Sequence, residues 1–150
     1  MKVYIGADHG GYKLKEEIKK WLKEWHLDSE DVGAFRFDSE DDYPDFAWEL
    51  GQKVGRDAKS FGILACRSGQ GECIVANKVR GVRAALCWSE KSAHAARNDD
   101  DSNVICLPAD YITIDLAKKI VHEFLMTKFD SKTERFTRRL NKVKKIDINL

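Results

Sequence analysis

Short apolar runs alternate with longer amphipathic segments along the whole chain, and this alternation limits the fold more than any other feature. The runs are rich in Val, Ile, Leu and Ala and end at turn residues, which is typical of strands buried on both faces. Four segments have this character: VYIGA (3–7), FGILAC (61–66), VRAALC (82–87) and NVICL (103–107). A weaker candidate, DSEDVGAF (28–35), occupies the place of a second strand.

The segments between these runs carry apolar residues at helical spacing. Leu14, Ile18 and Trp21 share one face of a predicted helix over 12–25, with Lys and Glu on the opposite face. Further helices are predicted over 45–59, 71–78, 89–97, 113–126 and 132–145. Strands that alternate with helices predict an α/β fold with a parallel sheet covered on both faces. A chain of 150 residues without linker or repeat predicts a single domain over 1–150.

Charge and composition exclude several classes of function. A formal net charge of +1 argues against a general nucleic-acid or membrane-surface binder, since both need a basic excess. No apolar run is long enough to span a bilayer, and the N-terminus does not resemble a signal peptide. The four cysteines contain no CxxC pair, which argues against a zinc site. We therefore expect a cytoplasmic protein with reduced thiols.

The carboxyl ends of parallel strands are where α/β sheets bind their ligands, and three loops here follow such ends. They are ADHGG (7–11), CRSGQGE (66–72) and LPAD (107–110). In the second loop, Gly69 and Gly71 would let the backbone approach a ligand, and the helix that follows offers free N–H groups. These groups suit a phosphate, or an oxygen that becomes negative during a reaction. The same glycines also suit an ordinary turn.

Cys66 and Glu72 flank the glycines, and either could take a proton from a substrate. A thiol that faces a helix N-terminus can have a lowered pKa, but a small buried apolar residue is an equal alternative for Cys66. A carboxylate in the first helical turn is favoured by the helix dipole alone, so a structural role is the default for Glu72.

Two further groups could contact a substrate. Asp8 could bind sugar hydroxyls and His9 could contact a phosphate, or Asp8 could cap the first helix and His9 be an ordinary loop residue. Arg135 and Arg139 lie four residues apart on the C-terminal helix and could clamp a phosphate, although the whole segment is basic. His26, His94 and His122 fall on helices or helix ends and are expected to be structural.

Taken in order, several motifs resemble the ribose-5-phosphate isomerase type B and galactose-6-phosphate isomerase family of sugar-phosphate isomerases. The resemblance extends from about residue 2 to residue 145. It is carried by IGADHGGYKLKEEI (5–18), DYPDFA (42–47), the segment 61–87 with its SGQGECIVANK run, SAHAARNDDDSNVICL (92–107) and RFTRRLNKV (135–143).

The resemblance implies a Rossmann-like three-layer α/β/α sandwich with a five-stranded parallel sheet. It also implies an aldose–ketose isomerase of a phosphorylated sugar, which needs no metal ion or cofactor. Members of the family work as homodimers, sometimes paired into tetramers, with active sites at the subunit interface. The helix over 132–145 is then expected to pack on the dimer partner, and residues 99–100 of one subunit to serve the Cys66 loop of the other.

The resemblance also implies a role for each candidate residue that matches a functional position of the family. Positions matching Asp8, His9 and Tyr43 line the sugar or phosphate pocket. The loop from Ser68 through Gly69 and Gln70 to Gly71 binds the substrate and stabilises an enediolate. Positions matching Arg135 and Arg139 grip the phosphate.

The proton at C2 of the sugar is removed by a Cys at position 66 in one branch of the family and by a Glu at position 72 in another. This chain has both residues, and we favour Glu72.

Four positions depart from the pattern of the family. Arg67 replaces a glycine and could block the pocket or contact an anionic group. Asp99 and Asp100 replace the His-Asn pair whose His opens the sugar ring, and Asp110 replaces a phosphate-binding arginine. Asp99, Ser68 and His94 are candidates for ring opening. The departures leave two alternatives open: an isomerase of a six-carbon or atypical sugar, and a sugar-phosphate-binding partner subunit with low activity.

Overall fold

A computed structural model describes residues 1–148 of the chain. They form five strands and six helices in alternating order. The strands are β1 (Lys2–Ala7), β2 (Asp28–Asp31), β3 (Ser60–Cys66), β4 (Ala84–Leu86) and β5 (Val104–Pro108). The helices are α1 (Tyr12–Glu24), α2 (Tyr43–Arg56), α3 (Gln70–Ala76), α4 (Glu90–Asn98), α5 (Ile114–Met126) and α6 (Glu134–Ile148). No helix within residues 1–148 combines the length and apolar character that crossing a membrane requires.

All strand pairs are parallel, and the order across the sheet is β2-β1-β3-β5-β4. Successive residues of a strand point to opposite faces, and each face is covered by its own helices. Ile63 and Ile105 lie in a cluster with apolar residues of α1, α4 and α5, whereas Leu64 and Cys106 lie in a cluster with those of α2 and α3. The predicted Rossmann-like α/β sandwich with five parallel strands is therefore confirmed.

The second strand is shorter than predicted. It ends at Asp31, whereas the sequence pattern predicted strand to residue 35. β2 is an edge strand of four polar residues, so it lacks the apolar run that identifies the other strands in the sequence. It is held in the sheet by its parallel pairing with β1. The fully buried amine of Lys15 on α1 lies 2.6 Å from Asp31 Oδ2, so an ion pair ties this edge to the first helix.

The topology separates the candidate residues into two groups. Cys66 pairs with Pro108 at the carboxyl edge of the sheet, whereas Gly62 pairs with Val104 near the amino edge. Cys66 lies four residues after Gly62 on β3. At a rise of about 3.3 Å per residue, the two edges are about 13 Å apart along the strands. Residues 99–103 lead into the amino end of β5, and therefore lie at the edge opposite the Cys66 loop.

Candidate active site

The glycine loop after β3 is shaped by close backbone contacts. Gly69, the N-cap of α3, has a φ of 72°, and a Cβ there would also lie 2.6 Å from Leu86 Cδ1. Gly11, which precedes α1, leaves no room for a Cβ, because it would overlap the carbonyl oxygen of Ala65. These contacts bring the loop after β1 against the end of β3, so that Asp8 and Glu72 become neighbours.

Glu72 points into this junction and not toward solvent. Its side chain is 0 % exposed, and neither carboxylate oxygen has a hydrogen-bond partner among the described residues. Burial raises the pKa of Glu72 well above its ordinary value, and the negative charge of Asp8 raises it further. The Asp8 N–H and the Cys66 thiol lie close enough to oppose this rise, although neither meets hydrogen-bond geometry. Glu72 thus lies in the first turn of α3, as the sequence indicated, but its carboxyl group is buried at the junction and is not solvated.

Cys66 faces the same junction, and its thiol holds its proton. Burial and the neighbouring Glu72 raise the pKa of Cys66 to about 12. Two backbone groups lower the pKa of the thiol: the Gly69 N–H, which lies 3.2 Å from the sulfur, and the Glu72 N–H. Their effect is smaller than the rise that burial and Glu72 cause. Of the two alternatives for Cys66, the structure therefore favours the small buried residue over the thiol with a lowered pKa, because desolvation is the larger effect.

Asp8 and His9 are both fixed by the loops around them. Asp8 Oδ1 accepts a hydrogen bond from Gly11 N–H at 3.2 Å, while the N-cap position of α1 is Gly11 itself. Burial raises the pKa of Asp8. His9 Nδ1 lies 2.7 Å from Asp41 Oδ1, and this hydrogen bond raises the pKa of His9. Sequence reasoning missed Asp41, whose only signal was its position immediately before the DYPDFA motif.

Tyr43 and the loop amides complete the carboxyl-edge site. The Tyr43 ring packs so closely on Gly71 that a Cβ there would lie 2.6 Å from Tyr43 Cζ. Ser68 Oγ accepts a long hydrogen bond of 3.4 Å from Gln70 N–H. The N–H groups of Ser68 and Gly71 have no acceptor among the described residues, so they are free to bind a ligand oxygen.

Asp8, His9 and Asp41 also bring possible metal-ligand atoms within 4.8 Å of one another. Two of these atoms, His9 Nδ1 and Asp41 Oδ1, already bond to each other. The closeness of the three side chains is therefore explained by the hydrogen bond with which Asp41 orients the His9 imidazole.

Asp99, Asp100, Arg135 and Arg139 lie at the other edge of the sheet. Asp99 caps the end of α4 and accepts a hydrogen bond from Asn98 Nδ2 at 2.8 Å. Partial burial and the charge of Asp99 raise the pKa of Asp100, which Arg139 opposes. Arg135 and Arg139 are exposed and form no ion pair with another described residue. One chain therefore does not bring these four residues to its own Cys66 loop.

His94 Nδ1 lies 2.7 Å from Glu123 Oε1 on the neighbouring helix α5. His122 packs edge-on against Trp25. These contacts fit the structural roles expected for both residues, while ring opening by His94 stays a prediction from the sequence.

Residues 3–143 match the family model described as Ribose/Galactose Isomerase. The chain belongs to this family. It is 43 % identical over 142 residues to the probable ribose-5-phosphate isomerase B of Mycoplasma genitalium, covering 94 % of this chain and 92 % of that protein. It is 41 % identical over 141 residues to the ribose-5-phosphate isomerase B of Mycobacterium tuberculosis, covering 94 % and 86 %.

A solved structure of the same family has nearly the same fold. The crystal structure of ribose-5-phosphate isomerase B from Mycoplasma genitalium with bound ribulose-5-phosphate superposes with a TM-score of 0.95 at 40 % identity. The superposition covers 99 % of this chain and 97 % of that one. The family resemblance expected from the sequence is confirmed.

Proposed function

We propose that this chain is an aldose–ketose isomerase that interconverts ribose 5-phosphate and ribulose 5-phosphate through a cis-enediolate. The observation that carries the proposal is Glu72, a buried carboxyl group with no hydrogen-bond partner and a raised pKa at the glycine loop of a sugar-phosphate isomerase fold. A general base is most effective when its pKa is close to the working pH. The relative with bound ribulose-5-phosphate supports the choice of sugar.

Glu72 removes the C2 proton of the opened sugar and returns a proton at C1. Cys66 serves as a packed thiol beside it, because a group with a pKa of about 12 has almost no thiolate at neutral pH. The negative charge that develops on the O1 and O2 oxygens is stabilised by the N–H groups of Ser68 and Gly71. Because backbone amides provide this stabilisation, the proposed reaction needs neither a metal ion nor a cofactor.

The complete site is shared between two copies of the chain. Asp99 and Asp100, with Arg135 and Arg139, lie at the sheet edge opposite Glu72, so a second copy has to supply them. Exposed apolar side chains near the glycine loop support such an interface, since Ile74 on α3 is 61 % exposed and Trp88 after β4 is 60 % exposed.

In this dimer the two arginines of α6 bind the phosphate, and Asp99 takes part in opening the sugar ring together with Ser68. Asp100 lines the sugar pocket, and α6 packs on the partner.

The four free cysteines are consistent with a cytoplasmic setting.

Exchange of the C2 proton of ribose 5-phosphate in heavy water, followed by NMR, tests the reaction directly. The wild type is expected to exchange, Glu72→Gln to lose exchange by about a hundredfold or more, and Cys66→Ala to retain it. Retained exchange in Glu72→Gln with loss in Cys66→Ala would assign the base to the thiol. A wild type that exchanges no proton on ribose 5-phosphate overturns the proposed substrate and favours a six-carbon sugar or a partner subunit of low activity.

A further inference from the structure

Arg67 places a positive charge at the mouth of the active site. It follows Cys66 directly, and its aliphatic part packs over Gly10, where a Cβ would lie 2.5 Å from Arg67 Cγ. The side chain is 65 % exposed. The hydrogen bond to Asp41 raises the pKa of the neighbouring His9 overall, and the positive charge of Arg67 opposes that rise.

The guanidinium of Arg67 is held loosely. Its Nη1 lies 3.4 Å from Asp110 Oδ2, and the Asp110 side chain is 48 % exposed, so the pair is long and solvated. The backbone beneath it is fixed, since Asp110 N–H donates to the carbonyl oxygen of Arg67 at 2.9 Å. A planar guanidinium has five N–H donors, and this pair engages one of them.

A ligand that carries a phosphate needs a cation at this place. Asp8, Asp41 and Glu72 form a group of carboxyl groups at the junction, and each of the first two raises the pKa of the third. A phosphate dianion that enters beside them is repelled unless a positive charge lies between them. Arg67 has the position and the free donors to supply that charge.

We propose that Arg67 is a ligand of the substrate's phosphate group, beside His9, and that Asp110 holds its guanidinium until the phosphate displaces the carboxylate. This inference rests on the proposed function for the nature of the substrate. It adds a phosphate contact supplied by the same chain that supplies Glu72. In the free protein the carboxylate of Asp110 is a weak internal competitor for the phosphate.

Two measurements test the proposal: KM and kcat for ribose 5-phosphate, and calorimetric binding of inorganic phosphate. Arg67→Ala is expected to raise KM and weaken phosphate binding by about tenfold or more, with kcat changed by less than about threefold. Arg67→Lys keeps the charge but loses the planar fork, so it should restore part of the affinity. Asp110→Asn should tighten phosphate binding by a few-fold, because the competing carboxylate is gone.

The matched control is Arg56→Ala, which removes an exposed arginine at the end of α2 and should leave both measurements unchanged. Unchanged phosphate affinity in Arg67→Ala, or weaker binding in Asp110→Asn, would overturn the proposal. Calorimetry does not require turnover. If the wild type binds phosphate through Arg67 but exchanges no C2 proton, the phosphate contact stands and the isomerase proposal fails.

Discussion

Burial of Glu72 predicts that its carboxyl group destabilises the protein as the pH rises. In the unfolded chain this group has its ordinary pKa of 4.5, whereas burial raises the pKa in the folded protein. Between these two values the folded state binds one proton more than the unfolded state, so the free energy of unfolding falls by about 1.4 kcal/mol per pH unit. Above the raised pKa both states are ionised and the loss is complete.

Glu72→Gln removes this titration while keeping the size of the side chain. We therefore expect the free energy of unfolding of the variant, minus that of the wild type, to increase by about 1.4 kcal/mol per pH unit above pH 4.5 and then to level off. The pH at which it levels off reports the folded-state pKa, as an apparent value shared with the neighbouring Asp8. The assay is urea denaturation followed by circular dichroism from pH 4.5 to 8, at one protein concentration because a dimer would make stability concentration-dependent.

Glu16→Gln is the matched control, because the pKa of Glu16 is shifted in the other direction. Burial would raise this pKa, but hydrogen bonds from Lys19 and Lys15 lower it overall. Its contribution to stability is present above the unfolded pKa of 4.5 and is lost only as the pH falls below that value, so the difference between Glu16→Gln and the wild type should stay flat from pH 4.5 to 8. Parallel stability curves for Glu72→Gln and the wild type across the whole range would refute the buried, unpaired carboxyl group.

Two further predictions concern the shared site and the imidazole. Glu72→Gln and Arg139→Ala are each expected to be inactive alone, but refolding them together should restore about a quarter of the wild-type rate, because random pairing leaves one intact site in each mixed dimer. No recovery, while the mixture forms dimers by sedimentation, would place both residues in one subunit's site. Asp41→Asn should lower the pKa of His9 in an NMR titration and raise KM several-fold between pH 6.5 and the raised pKa of the wild-type imidazole, with little change below or above that window. An unchanged His9 titration would contradict the role of Asp41.

Much of the fold could be predicted because the three inner strands β1, β3 and β5 are largely buried on both faces. β3 and β5 appear as continuous apolar runs, since each residue contacts helices on one side of the sheet or the other. β2 has no such run, because it lies at the edge and is held by pairing and by the ion pair of Asp31 with Lys15. Its end could not be read from apolar periodicity.

The sequence located the loops of the candidate site better than their electrostatics. The rule for parallel sheets places the loops of Asp8 and Glu72 at the carboxyl edge, and the structure has them together there, because this placement depends on topology alone. The sequence left two alternatives open for Cys66, since local sequence shows the helix end but not the burial or the carboxyl neighbours that raise the pKa of the thiol. The partner of His9, Asp41, is thirty-two residues away in sequence, so only the folded loops bring them together.

In the proposed mechanism, the charges at the carboxyl edge serve the two ends of a sugar phosphate in different ways. The proposed base, Glu72, needs a buried neighbourhood with Asp8 beside it, because burial and this negative charge raise its pKa and so make it better able to accept a carbon-bound proton. The same negative charges would repel the substrate's phosphate group. Cations that bind the phosphate therefore have to lie at the rim of the site, away from the carboxyl groups at its centre. Arg67 occupies such a position at the mouth, and the imidazole of His9 is kept protonated to a higher pH by Asp41. Under the two proposals made above, the gradient from carboxyl groups to cations therefore orients the substrate, with its reacting carbons toward Glu72 and its phosphate toward the rim.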